Sequence, residues 1–302
     1  MLDLIPSVRV GTPLRHDSLA VFPLFSNGRT VSYRLASQAI ADQSLLVEEV
    51  TQEGSVPELM VQNKSDKLVL FLEGEELVGA KQNRVLNTSV LVAAHRKAKI
   101  PVSCVEQGRW SHRSTYFGSS GSHSPSKLRR ALKGSVSKSL REAKGHASDQ
   151  RQVWQEEAAF HASHGVHSKT AAMSDAFESF QQRIQSVQSK LGYIEGATGL
   201  AVAIGDQVLS LDLFDSPTTC EQVWDRLLTG AIVDSLKLDD LDAKATATNV
   251  DDVVRSSKDW EWEKREASGE GDEYRSVSDA GDHASVLFYD RVPVHISILA
   301  AT

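Results

Sequence analysis

The chain has 302 residues, 40% of them hydrophobic and 24% charged, with a formal net charge of −7. That length accommodates one large domain or two small ones and can bury a substantial core without metal or disulfide staples. No stretch approaches the ~18 consecutive apolar residues of a membrane helix, and the only cysteines, Cys104 and Cys220, form neither a disulfide framework nor a zinc-knuckle spacing.

The opening residues, MLDLIPSVRV, lack a basic start followed by an apolar run, so no secretory signal is read and a reduced, cytoplasmic setting is expected. The first third reads as β-rich. Short apolar or alternating runs at 19–25, 44–50, 56–63, 67–72 and 90–94 predict strands, with a short helix over 33–43 and turns at 73–76 and 86–89. A strand is also read at the start of "IPVSCVEQGRW" (100–110), where Ile100, Val102 and Cys104 share a face. Residues 111–124, rich in Ser and Gly, read as a loop, disordered or acting as a mobile lid.

Helices follow. Pro125 marks a helix start, and Leu128, Leu132, Val136 and Leu140 repeat every four residues on one face. Further helices are predicted over 149–162 and 170–191, the latter ended by Gly192. "GLAVAIGDQVLSLDLF" (199–214) reads as a hairpin turning at Gly205–Asp206. Helices over 217–235 and 249–267, a loop over 268–274 and two strands within 285–299 complete the chain. The fold class expected is α+β: one domain over 1–302, with a β-rich core and the helical segment 125–191 inserted in it. "LFLEGEELVG" (70–79) aligns with "AVAIGDQVLS" (201–210) as strand, turn and strand, which implies an internal duplication.

Charge is unevenly spread. Residues 125–144 hold seven cations against Glu142, and residues 234–273 hold thirteen acids against six bases. Solvated or mutually paired faces are the plainer reading of such blocks. Lys127, Arg129, Arg130 and Lys133 are therefore expected at the surface, with no nucleic-acid partner and no membrane contact.

Two stretches carry candidate chemistry. The buried strand 68–72 ends at Glu73, and four polar side chains follow: Lys81, Gln82, Asn83 and Arg84. They cannot all face solvent in a strand, so a partner for Glu73 is expected among them. The second stretch repeats the design, an apolar strand closing on Glu106 with Gly108, Arg109 and Trp110 behind it. Glu73 and Glu106 suit general acid and base, or a metal ion. Arg84 and Arg109 suit phosphate or carboxylate, and Trp110 offers a flat face for a base or sugar. Structural salt bridges, Glu73 with Arg84 and Glu106 with Arg109, fit the same spacing. Cys104 reads as a buried, inert thiol. His161, His164 and His167 recur at three-residue steps, but Gly165 ends their helix and no other ligand completes the set, so no metal site is assigned. No Walker loop, dinucleotide glycine fingerprint, HExxH or GxSxG occurs, and no cofactor is assigned.

At "GEELVGAKQNR" and "IPVSCVEQGRW" the sequence resembles the ARG and rhodanese-phosphatase-superfamily-associated protein domain family, ARG denoting ADP-ribosylglycohydrolase. The resemblance runs from "VFPL" to the final "VHISIL". It implies a role near NAD-derived or ADP-ribosylated compounds and supplies no established activity. By motif position it carries over Glu73, Gln82, Asn83, Arg84, Glu106, Arg109 and Trp110 as the site. Binding or hydrolysis of a phosphorylated ribose or nucleotide is the expectation; the alternative is a non-catalytic binding or scaffold module. The oligomeric state is left open.

Overall fold

The computed structural model describes residues 4–51, 54, 57–236, 238 and 241–301. The fold is α+β and β-rich. It divides into two compact units, one drawn from residues 1–31, 181–266 and 271–302, the other from 32–180 and 267–270.

The chain starts in the first unit with β1 (Val8–Val10), β2 (Leu14–His16) and β3 (Leu19–Ser26). It then builds the second unit through β4 (Tyr33–Leu35), α1 (Ala36–Ala41), β5 (Leu45–Glu49), β6 (Glu58–Asn63), β7 (Leu68–Phe71), β8 (Glu75–Gly79), β9 (Arg84–Leu86), β10 (Val90–Val92), β11 (Lys97–Cys104) and β12 (Phe117–His123). Val56, the first residue of one expected strand, lies outside the described residues. The helix expected over 33–43 is shorter than predicted, because Tyr33–Leu35 pairs in parallel with β7 and tertiary pairing overrides local propensity.

Two sheets form here, ordered β10-β7-β4 and β12-β8-β9-β11-β6-β5. Their apolar faces share one core with α1, including Ala39, Leu59, Phe71, Leu86 and Val102. The supposed loop 111–124 is a strand over its second half. β12 pairs antiparallel with β8 and shifts register between Ser119 and His123, an irregularity that small Ser and Gly residues tolerate. The unit closes with α2 (Ser126–Arg141), α3 (Gln150–His164) and α4 (Met173–Ser179). The Asp149 side chain caps α3 by accepting from the N–H groups of Arg151 and Gln152, and Gly165 ends it in the left-handed conformation.

The chain returns to the first unit with α5 (Gln181–Gln188), so the helix expected over 170–191 is two, interrupted at Phe180, whose backbone (φ −109°, ψ 9°) is not helical. Then come β13 (Gly199–Ile204), β14 (Gln207–Phe214), α6 (Pro217–Ser235), α7 (Ala247–Lys258), β15 (Glu263–Glu266), β16 (Asp272–Val277), β17 (His283–Tyr289) and β18 (Val292–Leu299). The expected helix over 249–267 therefore stops at Lys258, and β16 begins inside the expected loop 268–274. Their residues form β15 and β16, which pair antiparallel from Glu263–Arg275 to Glu266–Asp272.

The strands of this unit make one antiparallel sheet of nine, ordered β1-β3-β13-β14-β18-β17-β16-β15, with β2 also on β3. Phe22, Leu24, Leu211, Leu213, Ile296 and Ile298 form an apolar layer that Val250 and Val254 of α7 join. α6 packs on β13 and β14.

Gly74 and Gly205 are both turn residues with left-handed φ, 77° and 62°. Only the second closes a hairpin, β13 with β14. The chain turns at Gly74 from β7, which pairs with β4 and β10, into β8, which pairs with β9 and β12. The strand pairing thus does not reproduce the equivalence expected between 70–79 and 201–210.

Trp224 of α6 is fully buried and donates its Nε1–H to the Leu191 carbonyl at 2.7 Å. Trp224→Phe keeps most of the apolar volume but orphans that carbonyl, so urea unfolding should show a loss of about 1–3 kcal/mol. Trp224→Ala should cost more, about 3–5 kcal/mol.

Candidate functional site

The turn between β8 and β9 and the segment after β11 lie against each other in the second unit. Glu106 forms an isolated bridge with Ala172, and the Gly108 N–H donates to the Thr170 carbonyl at 2.8 Å. A Cβ on Gly108 would stand 2.8 Å from the Thr170 Cα, so only glycine allows this approach. That is why the strand "IPVSC" bends after its glutamate.

Arg109 organises the region. Its Nη1 donates to the carbonyls of Ala80 (2.7 Å) and Ser111 (2.8 Å). Its Nη2 donates to the Gly79 carbonyl (3.1 Å), Asn83 Oδ1 (3.1 Å) and Glu106 Oε2 (2.5 Å). Glu106 Oε2 also accepts the Asn83 N–H at 3.1 Å, and the Glu106 carbonyl accepts from Gln82 Nε2 at 3.0 Å. Gln82 Oε1 in turn accepts from Arg84 Nη1 at 3.1 Å. The exposed indole of Trp110 lies over this cluster, its ring centroid 5.8 Å from the Arg84 guanidinium and 5.4 Å from the Lys81 ammonium. Six of the seven residues expected at the site thus come together: Gln82, Asn83, Arg84, Glu106, Arg109 and Trp110.

The seventh, Glu73, has partners from another element. Its carboxylate meets Lys133 Nζ at 2.5 Å and Arg129 Nη2 at 3.4 Å, both from α2. This corrects the expectation that Glu73 pairs within 81–84. It also corrects the surface placement of Arg129 and Lys133, which are 5% and 1% exposed. The basic block is therefore split: Leu128, Leu132 and Val136 pack on protein, and two cations of the same helix neutralise a buried carboxylate.

Several buried carboxylates went unread, two of them beside this cluster. Glu76 of β8 and Glu157 of α3 are 0% and 4% exposed. Burial pushes the Glu76 carboxyl up to about 8, and the charge of Glu106 adds to the shift. Ser120 and Asn83 stand close enough to oppose it, yet neither Glu76 oxygen has a partner in hydrogen-bonding geometry, so burial dominates. Glu157 is raised well above the carboxylate range by burial and by the charges of Glu76 and Glu106. Burial would raise Glu106 as well, but the Arg109 hydrogen bond, the Asn83 N–H and the Arg109 charge outweigh it and hold it below its ordinary value. The three carboxyls thus influence one another, Glu106 lowered and Glu76 and Glu157 raised. A signal existed for Glu157: Val153, Glu157 and His161 form a four-residue stripe on α3, and all three are buried.

Burial pushes the Cys104 thiol up, in keeping with an inert side chain. Among the described residues no three His, Cys, Asp or Glu side chains are placed to share a metal ion, and no helix is long and apolar enough to cross a membrane. An open cleft of about 160 Å³ in the first unit, bordered by Arg29, Asp215 and Arg291, includes none of the residues singled out from the sequence. That unit has its own buried polar pairs, His295 with Asp212 at 3.2 Å and Arg275 with Glu273 at 2.8 Å.

The family model described as ARG and Rhodanese-Phosphatase-superfamily-associated Protein domain matches residues 7–299. The chain belongs to this family. No curated protein and no solved structure matches it. Both stretches that carried the resemblance, 74–84 and 100–110, fall within the match, and so do Glu76 and Glu157.

Removing Lys133 takes the nearer of two α2 cations from the buried Glu73 carboxylate and leaves Arg129 Nη2 at 3.4 Å. Lys133→Ala should cost at most about 3–5 kcal/mol in urea unfolding, and adding Glu73→Gln should restore part of it. Glu76 has a pH signature of the opposite kind. Its folded value lies above its unfolded value, so between pH ~4.5 and ~8 the native state keeps a proton that the unfolded chain has lost, and stability falls as pH rises. Glu76→Gln should flatten that decline by roughly 1 kcal/mol per pH unit, read from unfolding curves at pH 5 to 8.

Proposed function

We propose that the chain binds a phosphorylated ribose or nucleotide at the face formed by Trp110 and Lys81, with the buried Arg84 beneath the indole. One observation carries the reading: an indole 50% exposed to solvent stands beside two cations, above a cluster of buried polar groups. An exposed aromatic face stacks on a base or sugar, and neighbouring cations attract phosphate. The loop that presents the indole is fixed to its surroundings. Ser111 N–H donates to the Lys81 carbonyl at 3.3 Å and Arg113 N–H to the Ala80 carbonyl at 2.9 Å, besides the five bonds of Arg109. A pre-organised face loses less entropy on binding. The family's link to ADP-ribosylglycohydrolases agrees in ligand chemistry.

Binding without turnover is favoured by the state of Arg109 and Glu106, because both Arg109 Nη atoms and Glu106 Oε2 are already engaged with each other and with the loop. A second reading, hydrolysis of the bound molecule, is favoured by Glu76. A protonated carboxyl influenced by an ionised one is the pairing that general acid–base chemistry uses. In that reading Glu76, rather than Glu73, partners Glu106.

A thermal-shift series with ADP-ribose, NAD, ribose 5-phosphate and inorganic phosphate tests both readings. A ligand at a hundred times its Kd should stabilise the fold by about 2.7 kcal/mol. Trp110→Ala should weaken nucleotide binding by the ~1–3 kcal/mol that stacking on a base contributes, and Trp110→Phe should retain most of it. If none of the four compounds shifts the transition, the binding reading fails. Chromatography of the bound compounds then separates the two: turnover that Glu76→Gln abolishes while affinity persists favours hydrolysis, and intact ligand favours a binding module.

A further inference from the structure

Arg84 has two edges, and only one is satisfied. Its Nη1 donates to Gln82 Oε1 at 3.1 Å and reaches the Asn83 carbonyl at 3.5 Å. Among the described residues its Nε and Nη2 have no hydrogen-bond partner although the side chain is fully buried. Facing that edge is Glu49, the last residue of β5, whose side chain is 6% exposed and whose two oxygens also lack hydrogen-bond partners among the described residues. Nη2 and Oε1 are 3.6 Å apart, close enough for attraction and too far for a hydrogen bond.

Two donors therefore stand beside two acceptors in a buried place, next to the indole of Trp110. Buried groups of this strength require partners. A phosphate cannot satisfy the set, because it only accepts and the Glu49 charge repels it. A pair of neighbouring hydroxyls can: each hydroxyl donates one hydrogen to a carboxylate oxygen and accepts from an N–H through its lone pairs. Acidic side chains bind ribose hydroxyls in this way in dinucleotide-binding folds.

We infer that Glu49 and Arg84 together recognise the vicinal diol of a ribose, with the phosphate falling to Lys81 and to Arg113 at the rim. The inference rests on the reading that the ligand carries a ribose, and it makes Arg84 a sugar contact. The indole of Trp110, 50% exposed, is the solvent-facing group next to this pair.

Calorimetric titration with AMP, 2′-deoxy-AMP and ribose 5-phosphate tests it. The wild-type protein should bind AMP at least tenfold more tightly than 2′-deoxy-AMP. Glu49→Gln, which keeps the shape but exchanges one acceptor oxygen for a donor, should bind AMP as weakly as the wild type binds the deoxy compound. Equal wild-type affinity for AMP and 2′-deoxy-AMP overturns the diol assignment and leaves the binding reading standing, and this arm needs no variant. Loss of stability in Glu49→Gln with the tenfold preference intact also overturns it, making the pair a structural salt bridge. Failure of the wild type to bind any of the three compounds sinks both readings.

Discussion

The second unit depends on one guanidinium. Arg109 is almost buried, and its two terminal nitrogens reach five acceptors on three stretches of chain: the β8–β9 turn, Glu106 and its own loop. A planar fork with fixed donor directions sets the angle between those stretches, which an ammonium could not. The exposed indole, the two cations beside it and the ionised state of Glu106 all follow from that frame. Ala80, whose carbonyl accepts from Arg109, has a positive φ of 36°, a conformation disfavoured for alanine that the surrounding bonds hold in place.

The same frame divides the carboxyls by protonation. Glu106 keeps its charge because Arg109 and a backbone N–H stabilise it. Burial, with that charge adding to it, then raises Glu76 to about 8 and Glu157 well above the ordinary carboxylate range. Uncoupled burial would have neutralised all three. One well-placed cation makes them unequal, and this inequality is what the hydrolytic reading needs.

Much of this was legible in the sequence where the cause was local. Alternating apolar runs located most strands, and Gly205 located its hairpin. The four consecutive polar residues after β8 marked the cluster because pleating forbids all of them from facing water. What failed was set by distant chain. Glu73 was matched to its sequence neighbours, but its partners lie 56 and 60 residues away on α2. A run of cations looks solvated until the element it packs against is known. β12 was hidden because Ser and Gly have low strand propensity, and only pairing with β8 makes them a strand. Glu49 was invisible because "SLLVEEV" is an ordinary alternating strand, and nothing local shows that its last glutamate meets Arg84.

β15 closes one side of the nine-stranded sheet, and every one of its residues is charged: Glu263, Lys264, Arg265 and Glu266. Three of these charges are already engaged across the pair or along the strand, Lys264 with Asp272 at 2.9 Å and Arg265 with Glu263. The outer rim of a sheet carries unpaired N–H and C=O groups that invite a strand from a second molecule. Any such strand would have to strip water from a row of charges of both signs before it could make its first backbone bond. The charge-rich block 234–273, read as a solvated or mutually paired face, thus contains a barrier to aggregation, one that leaves the sheet free to end in solvent.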